Sequence, residues 1–232
     1  MAGRKKNQTG PNADGYRFDP SEAVAHLSAA DERLALLMRL VGPFNMQIRS
    51  MHNPFEALAR NIVYQQLHGT AASAIHARVL ALFDRKDRLR PRDILAASEE
   101  ELRGAGLSRA KTAALKDLAE KTVSGVVPSL ARLEKMSDEE IIERLSAVRG
   151  IGRWTVEMLL IFRLGRPDVL PVGDFAVRKG FGLAYLLGRP PAPKELALYG
   201  ERWKPFRTVA SWYLWRASEL PPEVFEEVRG EK

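Results

Sequence analysis

The chain has 232 residues, 45% of them apolar, and no cysteine. That is enough for a globular protein with a proper core, and it excludes disulfides, thiolate zinc sites and a cysteine-ligated iron–sulfur cluster. Lysine and arginine number 36 against 29 acids, a net charge of +7 with a pI near 9.8. Such a field attracts phosphate and hence nucleic acid, although many basic proteins bind none. No apolar run approaches the roughly 20 residues that span a bilayer. Met1–Gln8 has no apolar core after its charges, unlike a secretory signal. His26, His52, His68 and His76 show no metal-ligand spacing. The expectation is a cytoplasmic protein, of the bacterial cytosol or nucleoid, with no membrane partner.

Residues 1–18 are polar and basic, with Gly3, Gly10, Pro11 and Gly15, and are expected to form a flexible tail. From Asp19 the chain reads as helix after helix. Asp19-Pro20-Ser21-Glu22 is a start signal, and Leu34, Leu37, Met38 and Val41 recur at helical spacing. A helix is expected over 54–68, with Phe55, Leu58, Ile62 and Gln65 on one side, and another over 71–83 with Ile75, Val79 and Leu82. Pro91 opens a short helix. Ser98 and Ser137, each followed by three acids, read as helix caps. Ser108 caps a helix through Thr122, and further helices are expected at 153–164 and near 174–187, 193–201 and 205–218. Val169-Leu170-Pro171-Val172 is too short, and its proline too disruptive, for a central strand. The expected fold class is all-α.

Val148-Arg149-Gly150-Ile151-Gly152 lies between two of these helices. The glycines permit a hairpin with positive φ and close backbone approach, with Ile151 pinned in the core. Gly150, Gly152 and Thr155 would then aim N–H groups at a phosphate, flanked by Arg149 and Arg153. Carbonyls on the other side, those of Ser146, Val148 and Ile151, can face a monovalent cation. Nothing in this element reads base identity, so it would position DNA rather than select sequence. By itself Gly-x-Gly is also an ordinary helix–helix turn.

The stretch Leu145–Thr155 closely resembles the helix–hairpin–helix of the DNA glycosylase superfamily that also carries a Gly/Pro-rich loop and an aspartate. Here that loop is Leu170-Pro171-Val172-Gly173-Asp174, with the aspartate 20 residues after Trp154 (174 − 154). Asn53-Pro54-Phe55 through Tyr64-Gln65-Gln66-Leu67 is similar to the family's Ile-x-x-Gln-Gln helix, and Arg202–Arg207 with Trp212 and Trp215 is similar to the closing segment of the 3-methyladenine branch. The resemblance covers about residues 53–218 in four blocks. It implies two helical lobes, about 54–173 forming one and the N- and C-terminal segments the other, with a cleft between them. About 50 residues precede the Phe55 block and read as helix, which looks like the family's compact form without its extra β-rich domain.

The resemblance also assigns roles. Asp174 becomes the catalytic carboxylate, stabilising positive charge on a deoxyribose as the N-glycosidic bond breaks, although alone it is an ordinary helix cap. Relatives that also cut the DNA backbone carry a Schiff-base lysine where this chain has Trp154, so the expected enzyme is monofunctional. Electron-rich indoles favour a cationic, alkylated purine by roughly 0.5–2 kcal/mol. Trp154 and Trp215, with Met158 and Tyr64, form the expected base pocket. Trp203, Trp212 and Phe206 are expected to be mainly structural. Gln65, Gln66 and Leu67 are expected at the DNA, with Gln66 or Leu67 filling the gap left by a flipped base. Arg109 and Lys111 either touch phosphates or form a solvated face. The expected partner is duplex DNA with alkylated bases, bound by a monomer. No cofactor is required, and a sodium or potassium ion is expected at the hairpin. The rival readings are a non-catalytic helix–hairpin–helix DNA-binding protein and a glycosylase for oxidised or mismatched bases.

Overall fold

Every regular element among the described residues of the computed structural model, residue 12 with 14–83 and 88–225, is helical. Backbone contacts divide the chain into two units: Met1–Ser50 with Glu157–Lys232, and Met51–Val156.

The second unit holds α3 (Pro54–Tyr64), α4 (Gly69–Ala81), α5 (Pro91–Ala96), α6 (Glu99–Gly104), α7 (Arg109–Val123), α8 (Leu130–Leu133), α9 (Asp138–Ser146) and the start of α10 (Arg153–Phe162). Local chemistry explains where these helices begin. Asn53 accepts the Phe55 N–H at 3.0 Å, with Pro54 in the first turn. Ser98 and Ser137 each complete a reciprocal capping box, with Glu101 and Glu140. The serine N–H and hydroxyl hold both carboxyls below the usual glutamate range. The longest helix of this unit, α7, packs against α3, α5 and α6. Its buried face, Ala114, Leu115, Leu118 and Ala119, joins Leu58, Ile62, Ile94 and Leu102 in the core.

The first unit holds α1 (Pro20–Ala30), α2 (Glu32–Val41), the end of α10, α11 (Phe175–Ala184), α12 (Pro193–Tyr199), a 3-10 turn at Gly200–Trp203, and α13 (Arg207–Glu219). Packing of α11 on α13 dominates it. That approach depends on Gly180: a Cβ there would lie 1.8 Å from the Leu214 carbonyl oxygen. Trp203, Trp212 and Phe206 are all buried, as expected for structural aromatics.

Three expectations are corrected. The tail is shorter than 1–18: Tyr16 and Phe18 are only 6% and 4% exposed, and the Tyr16 hydroxyl donates to the Met46 carbonyl. Residues 1–11 and 13 of that tail lie outside the described residues. The division between units falls at 156/157, within α10, rather than at 173. Finally, several helices stop early, α3 at Tyr64 rather than 68 and α11 at Ala184 rather than 187. In both cases the last positions supply turn backbone: Gln66 and Leu186 each have φ +56°.

Asp31 separates α1 from α2. It is buried, caps α2 through a bond from the Leu34 N–H, and accepts the Tyr185 hydroxyl at 2.7 Å and the Trp203 indole N–H at 2.9 Å on its other oxygen. Burial, then the Asp31 charge and hydrogen bond, push the Tyr185 hydroxyl well above the ordinary tyrosine range. Because this folded pKa is raised, the contribution is complete below about pH 10 and is lost as pH climbs toward the raised value. Asp31→Asn keeps a cap acceptor but turns an amide toward two donors. It is expected to cost about 1–2 kcal/mol, read as a lower urea midpoint.

Candidate active site

In the first unit, Asp174 ends the Pro/Gly loop and is the N-cap of α11. Its N–H donates to the Pro171 carbonyl at 2.9 Å, closing the turn that runs through Val172 and Gly173. Its Oδ1 accepts the Val177 N–H at 2.9 Å and the Trp215 indole N–H at 3.1 Å. The carboxylate is therefore both a cap and a group whose orientation α11 and α13 fix together at the head of a helix. Trp215 differs in part from expectation: its N–H is committed to Asp174, and its ring stacks on Phe162 with centroids 5.5 Å apart. It is a holder of the carboxylate as well as an aromatic wall. Met158 is half-buried on α10, the helix that carries Phe162.

Sequence reasoning misses Phe162 and Phe175. Phe162 stands in an apolar helix with nothing to separate it from core. Phe175 directly follows Asp174, is 63% exposed and lies under the Arg178 guanidinium. Its only sequence signal is adjacency.

In the second unit, the hairpin joins α9 to α10. Gly150 has φ +78°, where a side chain is strained, and it packs beside Ala114 of α7. Gly152 does not need a positive φ. Its contribution is open space, since a Cβ would meet nothing within 4 Å. Ile151 and Val148 are buried and pin the turn, with the Ile151 N–H donating to the Val148 carbonyl. Thr155 is corrected: its N–H donates to the Gly152 carbonyl at 3.0 Å, while Gly150 and Gly152 are exposed. Arg149 is exposed, and its N–H donates to Asp117 at 2.7 Å. Burial alone would raise the Asp117 carboxyl, but the bonds from Arg149 and Lys121 hold it below the usual aspartate range. The Arg153 guanidinium forms a two-pronged, exposed pair with Glu139 at 2.8 and 3.2 Å, a pair weak enough to exchange for a phosphate.

Trp154 is 51% exposed, which a core aromatic would not be. Tyr64 is half-buried, with the Arg60 guanidinium 4.2 Å over its ring and His76 at its edge. Burial, then the Arg60 charge, lowers the His76 pKa. Gln65 ends α3 and donates its amide to the Gly150 carbonyl at 2.9 Å. Gln66 then takes a left-handed conformation that non-glycine residues seldom adopt, and Leu67 is 38% exposed. Lys111 does not form a solvated face: its ammonium donates to the Val63 carbonyl at 2.8 Å, and burial lowers its pKa. Arg109 is exposed.

Among the described residues the scaffold is all-helical, with a glycine hairpin in one unit and a buttressed aspartate at a helix head in the other. The chain belongs to the HhH-GPD superfamily of base excision DNA repair proteins, whose pattern its residues 59–205 match. It is 42% identical over 202 residues to DNA-3-methyladenine glycosylase 1 of Schizosaccharomyces pombe, covering 86% of this chain and 88% of that one. The structure of the fission-yeast 3-methyladenine DNA glycosylase Mag1 in complex with abasic DNA superposes with a TM-score of 0.74 at 40% identity, over 87% of this chain and 98% of that one. A DNA-3-methyladenine glycosidase from Bacillus halodurans superposes with a TM-score of 0.80 at 37% identity, over 89% and 95% of the two chains.

Proposed function

We propose that the protein is a monofunctional DNA glycosylase that flips alkylated bases of the 3-methyladenine and 7-methylguanine type out of duplex DNA and hydrolyses their N-glycosidic bonds. The observation that carries this reading is Asp174: a carboxylate held by the Val177 and Trp215 N–H groups on one oxygen at the head of α11. Breaking the glycosidic bond leaves positive charge on the sugar, and a preorganised carboxylate stabilises that charge without reorganising. An N3- or N7-alkylated purine is already a cationic leaving group, so little acid assistance is needed. Exposed Trp154 offers an indole face suited to such a base. With tryptophan in the lysine's place, no amine stands there to form a Schiff base, and the product is an intact strand with an abasic site. The kinship with 3-methyladenine glycosylases supports the substrate class.

The N–H groups of Gly150 and Gly152 are placed to bind a phosphate, with Arg149 and Arg153 beside them. Gln66 or Leu67, raised on a left-handed turn, is the candidate to fill the vacated stack. A monovalent cation suits the carbonyls of Ser146, Val148 and Ile151, because neutral oxygens are the ligands such a hard ion takes. Among the described residues the Ser146 hydroxyl is buried without a hydrogen-bond partner. The ion would supply positive charge toward the bound phosphate. The enzyme acts as a monomer in the cytoplasm, at the nucleoid of a bacterium. Among the described residues no helix is long and apolar enough to cross a membrane.

The test offers duplexes with 3-methyladenine, 7-methylguanine, hypoxanthine or 1-methyladenine, each with borohydride present. Release of methylated purine and no protein–DNA adduct is expected. A trapped adduct contradicts the monofunctional reading, and no release from any duplex favours a non-catalytic DNA-binding protein.

A further inference from the structure

Two elements of the second unit are proposed above to touch DNA for different purposes: the Gly150 hairpin grips a phosphate, and the Gln66–Leu67 turn enters the base stack. Flipping requires them to act at a fixed distance from each other, since one sets where the strand is held and the other where it is opened. The same small set of side chains ties both down. Gln65, the residue before the turn, donates its amide to the Gly150 carbonyl at 2.9 Å. Lys111 of α7 donates to the Val63 carbonyl at 2.8 Å, securing the last turn of α3 where carbonyls lack helical partners. Further along α7, Asp117 accepts the Arg149 N–H at 2.7 Å, Lys121 donates to the Ala147 carbonyl at 2.7 Å, and Ala114 lies against Gly150. One helix thus grips the hairpin at its middle and the stack-entering turn at its start, and Gln65 closes the link directly.

We propose that Gln65 and Lys111 are positioning residues for base flipping: they hold the Gln66–Leu67 turn in register with the phosphate-binding hairpin, and neither acts on the glycosidic bond. This rests on the glycosylase reading above. Lys111 suits the task because its ammonium is partly withdrawn from water, which lowers its pKa and makes its one carbonyl bond harder to replace. The left-handed backbone of Gln66 needs such support, because a strained turn persists only where its surroundings hold it.

The experiment measures single-turnover release of 7-methylguanine from two duplexes, one with the lesion paired to cytosine and one with it opposite an abasic site, where extrusion costs less. Gln65→Met, of similar length but without a donor, is expected to slow release from the paired lesion on the order of 10-fold or more. Release from the unpaired lesion should be slowed severalfold less than release from the paired one, because extrusion there needs less help and the chemical step is untouched. Lys111→Met should show the same bias toward the paired substrate, and Lys111→Arg should restore part of the loss. Melting curves of each variant separate this from global unfolding, which would slow both substrates alike. Equal slowing on the two duplexes, or no slowing on either, overturns the positioning role. A wild-type enzyme that releases base from neither duplex overturns the glycosylase reading, and the proposal with it.

Discussion

Asp174→Asn is expected to lower base release on the order of 100-fold or more while leaving the thermal midpoint nearly unchanged. The two halves of this result have different origins. Asparagine is as good a helix cap as aspartate, and its carbonyl oxygen can accept from Val177 and Trp215 as Oδ1 does now. The fold therefore keeps its interactions at the head of α11. What disappears is the full negative charge, the property on which catalysis is proposed to depend. A cap-only aspartate would give the reverse pattern, with little change in rate. Single-turnover release and a melting curve on the same preparation distinguish the two, and a mutant that matches wild type in rate removes Asp174 from the mechanism.

Gly180→Ala is the largest structural effect expected, roughly 3 kcal/mol or more of lost stability. A methyl group there would sit 1.8 Å from the Leu214 carbonyl oxygen, a main-chain atom that no rotamer change can move. To make room α11 and α13 must separate. Those are the helices that carry Asp174 and Trp215, and the indole-to-carboxylate bond, already 3.1 Å long, is lost with a further shift of about half an ångström. Gly180→Ala should thus lower the urea midpoint and, in the protein that remains folded, also slow base release. Normal stability would mean that the helices tolerate a wider spacing than their packing suggests.

Much of this architecture is legible in the sequence, and the parts that are not share a physical cause. Helix starts carry their own chemistry: Asn53-Pro54, Ser98 with Glu101, Ser108 and Ser137 with Glu140 all cap where their spacing says they should. Helix ends do not. α3 stops at Tyr64 because Gln66 turns left-handed, a conformation that only tertiary support makes tolerable in a glutamine. Burial in short polar segments is equally hidden. Tyr16 and Phe18 look like isolated aromatics in a basic tail, yet they join a cluster with Phe44 and Phe206. Asp31 looks like one more surface acid, and its two aromatic partners lie 154 and 172 residues away.

The candidate site divides in the same way. Asp174 and the hairpin glycines are visible through order and spacing of blocks. The bond from Trp215 to Asp174 is not, since an indole at helical spacing reads first as core. Nor is the clamp formed by Gln65, Lys111 and Asp117, because each partner is a main-chain group that carries no signal of its own. The choice for Lys111 between a phosphate contact and a solvated face omits its actual place for that reason: its charge is evident in the sequence, and its carbonyl acceptor is not.

The proposed reaction is hydrolytic release of an alkylated base, without strand cleavage, driven by Asp174. A single-turnover time course on a labelled duplex containing one 7-methylguanine tests it most directly, with each time point split between neutral quenching and hot alkali. The expected result is a strand break only in the alkali half, appearing at the rate of base release in wild type and on the order of 100-fold or more slower in Asp174→Asn. A strand broken in the neutral half, or equal rates for the two proteins, would contradict it.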